Sequence, residues 1–353
     1  MQIGWIQTLE FRNHRTLSWS PSARLNLLTG ANARGKTNLL EALGFLLTGR
    51  SFRTSRVGDI PRWGAEEAAV AGELRRADGA RTVRRTIRRL DNGVWHGAGE
   101  DCPWARAVAF GWQDLEILHG GPAARRSFLD GFTARLYASH RAALVRFRQI
   151  LARRNHLLQQ RLPETTLGTR LAPWDEQLAT VGMELIDRRR RATAALQTEI
   201  ARIYPNLAGE RHKVEVRYRA SLGEASEAAA FLAALERARR AELQRGRTLV
   251  GPHRDDLAIE LDSVDARAYG SRGQQRLLAL ALRLAEVLPI TEAVGTTPVL
   301  LLDDALSELD PQVRQTVLRE IETAEQVFLT SPEPLPAGAG ARWIVTEGEV
   351  AAA

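Results

Sequence analysis

The octapeptide GANARGKT, Gly30 to Thr37, combines two spaced glycines, a lysine and a hydroxyl in the pattern G-x-x-x-x-G-K-[ST], known as Walker A. The chemistry it suits is phosphate binding. Gly30 and Gly35 let backbone N–H groups turn inward around oxyanions, Lys36 reaches the β and γ groups of a nucleotide, and Thr37 offers its hydroxyl to Mg²⁺. The candidate ATP-binding residues are Gly30, Ala31, Asn32, Ala33, Arg34, Gly35, Lys36, Thr37 and Asn38. The lysine stands out. Of 49 Lys and Arg residues, only Lys36 and Lys213 are lysine. Arginine serves as a general surface cation, but its planar fork fits badly where a compact ammonium must sit among phosphate oxygens.

A second constellation lies in PVLLLDDALSELD, Pro298 to Asp310. Four apolar residues ending in Asp303 and Asp304 describe a buried parallel strand that delivers carboxylates at its C-terminal end, where open α/β sheets place ligands. Asp303 would hold Mg²⁺ through water, and Asp304 would orient or deprotonate an attacking water. Helix capping is the plain alternative for this pair taken alone. In YGSRGQQRLLALALRLAEVLPI, Ser271 and Gly273 precede an apolar helix, so a hydroxyl, backbone N–H groups and the positive helix end make another anion receptor. A second receptor is useful if it closes on a nucleotide held by another copy of the chain.

Elements must position these groups. RLNLLTG (Arg24–Gly30) ends in an apolar run that reads as a buried strand, and TNLLEALGFLL (Thr37–Leu47) has helical spacing. Other strand candidates in the first third are Ile3–Phe11, Glu66–Leu74, Arg81–Leu90 and Ala105–Phe110. From Pro122 the texture becomes helical and runs without a proline break from Ala123 to Leu162. RLPETTLGTRLAP (Arg161–Pro173) reads as a loop. A second helix is expected from Trp174, with apolar residues at Leu178, Val181, Leu185, Leu196, Ile200 and Ile203, and a third over Glu224–Gln244. Strand texture returns after Gly246 and ends with VFLTS (Val327–Ser331). The pattern predicts an α/β fold: a discontinuous nucleotide domain over 1–121 plus 246–353, and a helical arm over 122–245.

The chain has 353 residues, a formal net charge of +7 and one cysteine, Cys102, so an intrachain disulfide or a cysteine-clustered metal site is excluded. No apolar run reaches membrane-spanning length, and the N-terminus lacks a signal-peptide pattern, which favours a cytoplasmic protein without a membrane partner. Arginine clusters occur at Arg75–Arg76, RTVRRTIRRL (Arg81–Leu90), DRRRR (Asp187–Arg191) and RARRAELQRGR (Arg237–Arg247). They suit a nucleic-acid surface; a compositional drift toward arginine is the bland alternative.

The Walker A loop, S-x-G-Q-Q before a helix, LLLDD and SELD (Ser307–Asp310) together resemble the ABC-type ATPase head. Within that class the chain is similar to the RecF family in FRNHRTL, GRSFRTS (Gly49–Ser55), GPAARRSFLD (Gly121–Asp130), GPHRDDL (Gly251–Leu257), YGSRGQQR and LLLDDALSELD. The resemblance implies a P-loop head with a mixed sheet and an inserted helical arm, slow ATP hydrolysis as a switch, and an ATP-dependent homodimer. It further implies binding of double-stranded DNA and gap junctions, and work with RecR and RecO in loading RecA during DNA repair. Carried over by residue, it gives Lys36 and Thr37 to phosphate and Mg²⁺, Asp303 to the metal and Asp304 to the general base. Ser271, Gly273 and Gln274 become the trans signature, Asp310 the D-loop acid, and Gln113 a sensor of Mg²⁺ and the attacking water. Three residues depart from the class pattern: Asp304 replaces a longer Glu, Thr330–Ser331 stands where a His is usual, and Arg272 interrupts the signature. Arg12 is a candidate phosphate contact. His253 and Arg254 are open between lining the nucleotide or DNA side and a local pairing of Arg254 with Asp255 and Asp256. A transporter nucleotide-binding subunit, an SMC-like structural ATPase and a scaffold with a vestigial ATP site are the rival readings.

Overall fold

LNLLT and VLLL, the two apolar runs flanking the candidate chemistry, form strands of one sheet in a computed structural model. The structure describes residues 1–353 apart from 161–163, 210–211, 323, 333–339 and 347. Two compact units divide the chain: Met1–Leu115 with Ile203–Arg211 and Ser271–Ala353, and Glu116–Arg202 with His212–Gly270.

The first unit opens with strands β1 (Gln2–Phe11), β2 (His14–Trp19), β3 (Leu25–Thr29), β4 (Glu67–Arg76), β5 (Gly79–Arg89), β6 (Trp95–Gly99) and β7 (Ala107–Phe110). The second holds β8 (Val214–Arg219), β9 (Asp256–Leu261) and β10 (Val264–Asp265). The first unit resumes with β11 (Val299–Leu302), β12 (Val327–Thr330), β13 (Ala341–Thr346) and β14 (Glu349–Ala352). An antiparallel sheet has the order β2-β1-β4-β5-β6. A mixed sheet has the order β14-β13-β3-β12-β11-β7, parallel except for the β13–β14 pair. Its parallel core strands are buried along their length, as the unbroken apolar runs require.

Helix Lys36–Thr48 lies within the core of the first unit, and every residue from Leu39 to Leu47 is buried. Such a position demands an apolar surface, and the one buried charge, Glu41, is paired with Arg12. Leu39, Leu43, Phe45 and Leu46 share one core with Ile6, Val70, Val83 and Ile87 of the antiparallel sheet and with Leu28, Leu301 and Phe328 of the mixed sheet. The phosphate loop is seated from the far end of the sequence. A Cβ on Gly30, whose φ is +139°, would stand 2.6 Å from the Val345 carbonyl oxygen of β13. Thr29 Oγ1 also donates to the Trp343 carbonyl at 3.1 Å. Only glycine fits there.

Several expectations are corrected. The uninterrupted helix over Ala123–Leu162 is two helices, Pro122–Leu136 and His140–Gln159, separated at Tyr137–Ser139. The loop expected at Arg161–Pro173 is helical from Glu164 on, with 161–163 outside the described residues, and that helix runs to Ala208 rather than starting at Trp174. Leu167 and Leu171, one turn apart, pack with Leu158, so burial overrides the turn-like composition and carries the helix through Pro173. The third helix spans Ala228–Arg245. Residues 246–270, expected in the nucleotide domain, belong to the second unit because β9 pairs with β8 over six residues from Asp256 to Leu261.

Several members of the arginine clusters are used within the fold. Arg189 of DRRRR is buried, and its guanidinium donates to both oxygens of Asp130 at 2.8 Å and to the Pro252 carbonyl at 2.7 Å. Arg190 donates to the carbonyls of Ala225 and Gly223. In β5, Arg85 turns inward and donates to the Leu46 carbonyl at 2.8 Å, satisfying the C-terminal end of the Lys36–Thr48 helix. Arg239 pairs with Asp175 and Glu236. These arginines hold the fold; Arg84, Arg237, Arg240, Arg245 and Arg247 remain exposed.

Candidate nucleotide site

The phosphate loop joins β3 to helix Lys36–Thr48, and Gly35, at φ 102°, occupies the N-cap in a left-handed conformation. Lys36 curls over the loop: its Nζ donates to the Gly30 carbonyl at 2.6 Å and the Ala31 carbonyl at 3.0 Å. Burial lowers the Lys36 pKa, while the charges of Asp303 and Asp304 act in the opposite direction. The loop is braced by FRNHR. His14 Nε2 donates to the Gly35 carbonyl at 3.2 Å, and Asn38 donates to Asn13 at 2.7 Å.

Asp303 leaves the end of β11 beside Thr37, whose hydroxyl lies 2.9 Å from each carboxylate oxygen. Thr330, at the end of neighbouring β12, donates to Asp303 Oδ1 at 2.8 Å and accepts the Asp304 backbone N–H at 2.8 Å. Burial pushes the Asp303 carboxyl above its usual range; hydrogen bonds from Thr330 and Thr37 oppose this, and the neighbouring Asp304 charge adds to it. Asp304 adopts φ 51°, a left-handed conformation that an aspartate holds only where its surroundings fix it. Here the fixing groups are Thr330 on its N–H and Arg276, which donates to its carbonyl at 2.6 Å and to Ser307 Oγ at 2.5 Å.

These residues enclose an open cleft of about 460 Å³ lined by Asn32, Ala33, Gly35, Lys36, Thr37, Asn38, Arg53, Trp112, Arg276, Asp303, Asp304, Thr330 and Pro332. Its donor set fits a nucleotide with Mg²⁺. One lysine and backbone N–H groups face phosphate, and one hydroxyl and one carboxylate offer the hard oxygens that Mg²⁺ prefers. No cluster of three or more His, Cys, Asp or Glu occurs among the described residues, so substrate phosphates would supply remaining oxygens.

Other candidates stand apart from this cleft. Gln113 is not on its wall and donates to the Phe52 carbonyl at 3.3 Å; its neighbour Trp112 lines the cleft instead. Asp114 fixes that segment by accepting the Gly111 N–H and the Arg283 guanidinium. Ser271 caps helix Arg272–Leu284 in a reciprocal capping box with Gln274. Ser271, Arg272 and Gly273 are exposed, and nothing lies within 4 Å of a Cβ placed on Gly273. Asp310 caps helix Pro311–Ile321 through Gln312 and Val313 N–H groups. Arg12 does not reach the cleft: it is bidentate on buried Glu41, at 2.8 and 2.6 Å, which Arg53 also contacts at 3.1 Å.

GPHRDD forms a brace within the second unit. Asp256 pairs bidentately with Arg125 at 2.8 Å, while Asp255 accepts the Tyr218 hydroxyl and the Ser221 N–H. Neither acid pairs with Arg254, which donates with His253 to the Thr248 carbonyl, and burial lowers His253 to about 4. Sequence reading missed Arg53, Trp112 and Arg276 as cleft residues and did not foresee that Thr330 organises both acids. The quoted motifs contain Arg53 and Arg276, but spacing along the chain says nothing of which reach the cleft.

A measurable consequence concerns Thr330. Thr330→Val preserves shape but strips a hydrogen bond from both Asp303 and the Asp304 N–H. Asp303 keeps its bond from Thr37, so the Asp304 N–H is the buried partner left unsatisfied, at about 1–3 kcal/mol, and hydrolysis should fall about 5- to 150-fold at saturating ATP and Mg²⁺. Thr330→Ser should retain most of the rate, and phosphate-release assays of both variants check this.

Comparison with known proteins supports the same picture. The family described as AAA domain matches residues 6–156. The DNA replication and repair protein RecF of Heliobacterium modesticaldum is 35% identical, with 94% of this chain and 92% of that protein covered. RecF of Symbiobacterium thermophilum is 38% identical, with 94% and 91% covered. Among solved structures, the recombination mediator protein RecF with ATP, in the RecFOR pathway, superposes with a TM-score of 0.87 at 29% identity, covering 99% of each chain. An Smc head domain from Pyrococcus furiosus shares the fold alone, at TM-score 0.55 and 18% identity, with 99% of this chain and 95% of that one covered. The chain belongs to the family of the DNA replication and repair protein RecF.

Proposed function

We propose that this protein is an ATP-gated DNA clamp of recombinational gap repair. Two chains close around ATP, grip duplex DNA or a gap junction, and release it after slow hydrolysis, assisting RecA loading with RecR and RecO. The reading is carried by one observation: the phosphate loop and both acids line a single cleft, while Ser271 and Gly273 are exposed and absent from its wall. An exposed serine at a positive helix end suits the γ-phosphate of a partner's nucleotide.

Within one cleft, Lys36 and the loop N–H groups bind the phosphates. Thr37 and Asp303 would hold Mg²⁺, which when bound neutralises charge on the β- and γ-phosphoryl oxygens. Asp304 orients the attacking water and takes its proton. Its short side chain limits its reach, in keeping with a timed switch rather than a fast enzyme. Gln113 stands next to Trp112 on the rim and would join the site when the second chain closes. Exposed arginines, among them Arg84, Arg237 and Arg240, suit the DNA backbone. The family relationship supports DNA repair over transport, and no described helix is long and apolar enough to cross a membrane.

Sedimentation of wild type and Ser271→Arg, each with and without ATP, tests the proposal. The wild type should become a dimer with ATP, and the variant should stay a monomer under both conditions. Ser271 is exposed and the substitution removes one helix cap, a cost of about 0.5–2 kcal/mol, so the variant should still fold. A wild type that binds ATP and hydrolyses it as a monomer would overturn the reading.

A further inference from the structure

The antiparallel sheet of the first unit carries a feature unrelated to the nucleotide cleft. Trp63 is 100% exposed. It sits at the corner of a four-residue turn, Arg62 to Ala65, closed by the Ala65 N–H on the Arg62 carbonyl at 2.9 Å, with Gly64 following at φ 85°. That is a type II turn, whose third position needs glycine and whose second position points its side chain outward. The turn is rigidly mounted. The Arg62 N–H donates to the Glu10 carbonyl at 2.7 Å, Pro61 bridges Phe11 of β1, and the Arg12 N–H donates to the Ile60 carbonyl at 2.9 Å.

Beside the turn is an open cleft of about 530 Å³, lined by Trp63, Arg62, Arg89, Trp95, Asp59 and Glu66, with glycines and a proline between them. Trp95 lies so close over Gly58 that a Cβ there would meet its ring at 2.4 Å. The cleft therefore presents two indoles and two guanidiniums on a fixed frame. Arg62 pairs with Glu10 at 3.6 Å, Arg89 forms no ion pair among the described residues, and the Asp59 carboxylate is engaged by the Thr54 hydroxyl at 2.7 Å.

We propose that this cleft takes an unpaired nucleic-acid base: the base stacks on Trp63 and its phosphate meets Arg89. Every base has a π-face, so an exposed indole gives affinity without sequence preference, and the Arg89 guanidinium supplies the backbone contact. An apolar peptide segment is a poorer occupant, because four of the lining residues are charged and the cleft is open to water. The inference rests on the DNA-binding reading above and adds to it: the clamp holds duplex, and the Trp63 cleft holds the single strand beside it.

The test uses the full chain with ATP and three DNAs: a blunt duplex, the same duplex with a single-stranded extension, and that extension with 2-aminopurine as its first unpaired base. Fluorescence anisotropy at fixed salt should show Trp63→Ala losing about 5- to 100-fold in affinity for the extended DNA, the scale of one lost stacking contact. Its affinity for blunt duplex should be unchanged, and Trp63→Phe should keep most of the binding. The 2-aminopurine signal should be quenched by wild type and not by Trp63→Ala. Unchanged affinity for the extended DNA would overturn the inference and leave the clamp standing, as would equal losses on blunt and extended DNA. A wild type that binds no duplex would sink the clamp and the inference together.

Discussion

Lys36→Met is expected to weaken ATP binding and to reduce hydrolysis about 10²–10³-fold, the usual cost of removing a group aimed at charge that grows in the transition state. The ammonium is the one lysine charge at the phosphate loop, and it bridges the carbonyls of Gly30 and Ala31 at 2.6 and 3.0 Å. Asp303 and Asp304 face the same cleft. Without Lys36 their negative charge meets incoming phosphates with less opposition, so binding suffers as well as turnover. Lys36→Arg separates charge from shape. It keeps the cation but replaces a compact donor with a planar fork, and ATP-dependent retention on DNA should be lost. Nucleotide titration and phosphate release measure the two effects separately. The lysine's hydrogen bonds are partly exposed, so the unfolding midpoint should barely move. Unchanged binding and turnover in Lys36→Met would remove the loop from the reaction.

The largest effect on stability should come from the second unit. Arg189, 3% exposed, is bidentate on Asp130 at 2.8 Å and also donates to the Pro252 carbonyl at 2.7 Å. Asp130 accepts a further bond from His140 at 3.1 Å. Burial works against the Asp130 charge, but His140 and Arg189 outweigh it and hold the carboxyl below its usual range. The cluster ties helix Glu164–Ala208 to helix Pro122–Leu136 and to the segment before β9. Arg189→Leu leaves a carboxylate buried without its main partner and should cost about 3–5 kcal/mol. Replacing both members with leucine should recover much of that loss, since two apolar groups carry no desolvation penalty. Urea denaturation of the two variants, followed by a probe within the second unit, measures the difference. A single variant as stable as wild type would mean water reaches Asp130.

The grouping of the candidate residues was legible where it was contiguous. Lys36, Thr37, Asp303 and Asp304 meet at one cleft because one turn and one strand end hold them, and local sequence encodes both. Thr330 was noted as standing where a histidine is usual; its pairing with Asp303 and Asp304 depends on β11 and β12 being neighbours, which no spacing in the chain reveals. Charge was the most misleading signal. A run such as DRRRR looks like a surface, yet Arg189 reaches Asp130, 59 residues earlier, and only the folded chain brings them together. Composition misled in the loop expected at Arg161–Pro173 for a related reason: turn-forming residues yield from Glu164 on, where Leu167 and Leu171 are buried together.

The contact between Gly30 and the Val345 carbonyl has a bearing on how such chains are judged by inspection. A polypeptide ending ahead of β13 would still display every hallmark of ATP binding, yet the first bend of its loop would have nothing to close against. Likewise, a bulkier backbone shift near residue 345 could silence the enzyme without touching any residue that an inventory of motifs would flag. The first bend of the phosphate loop rests on a strand from a distant part of the chain.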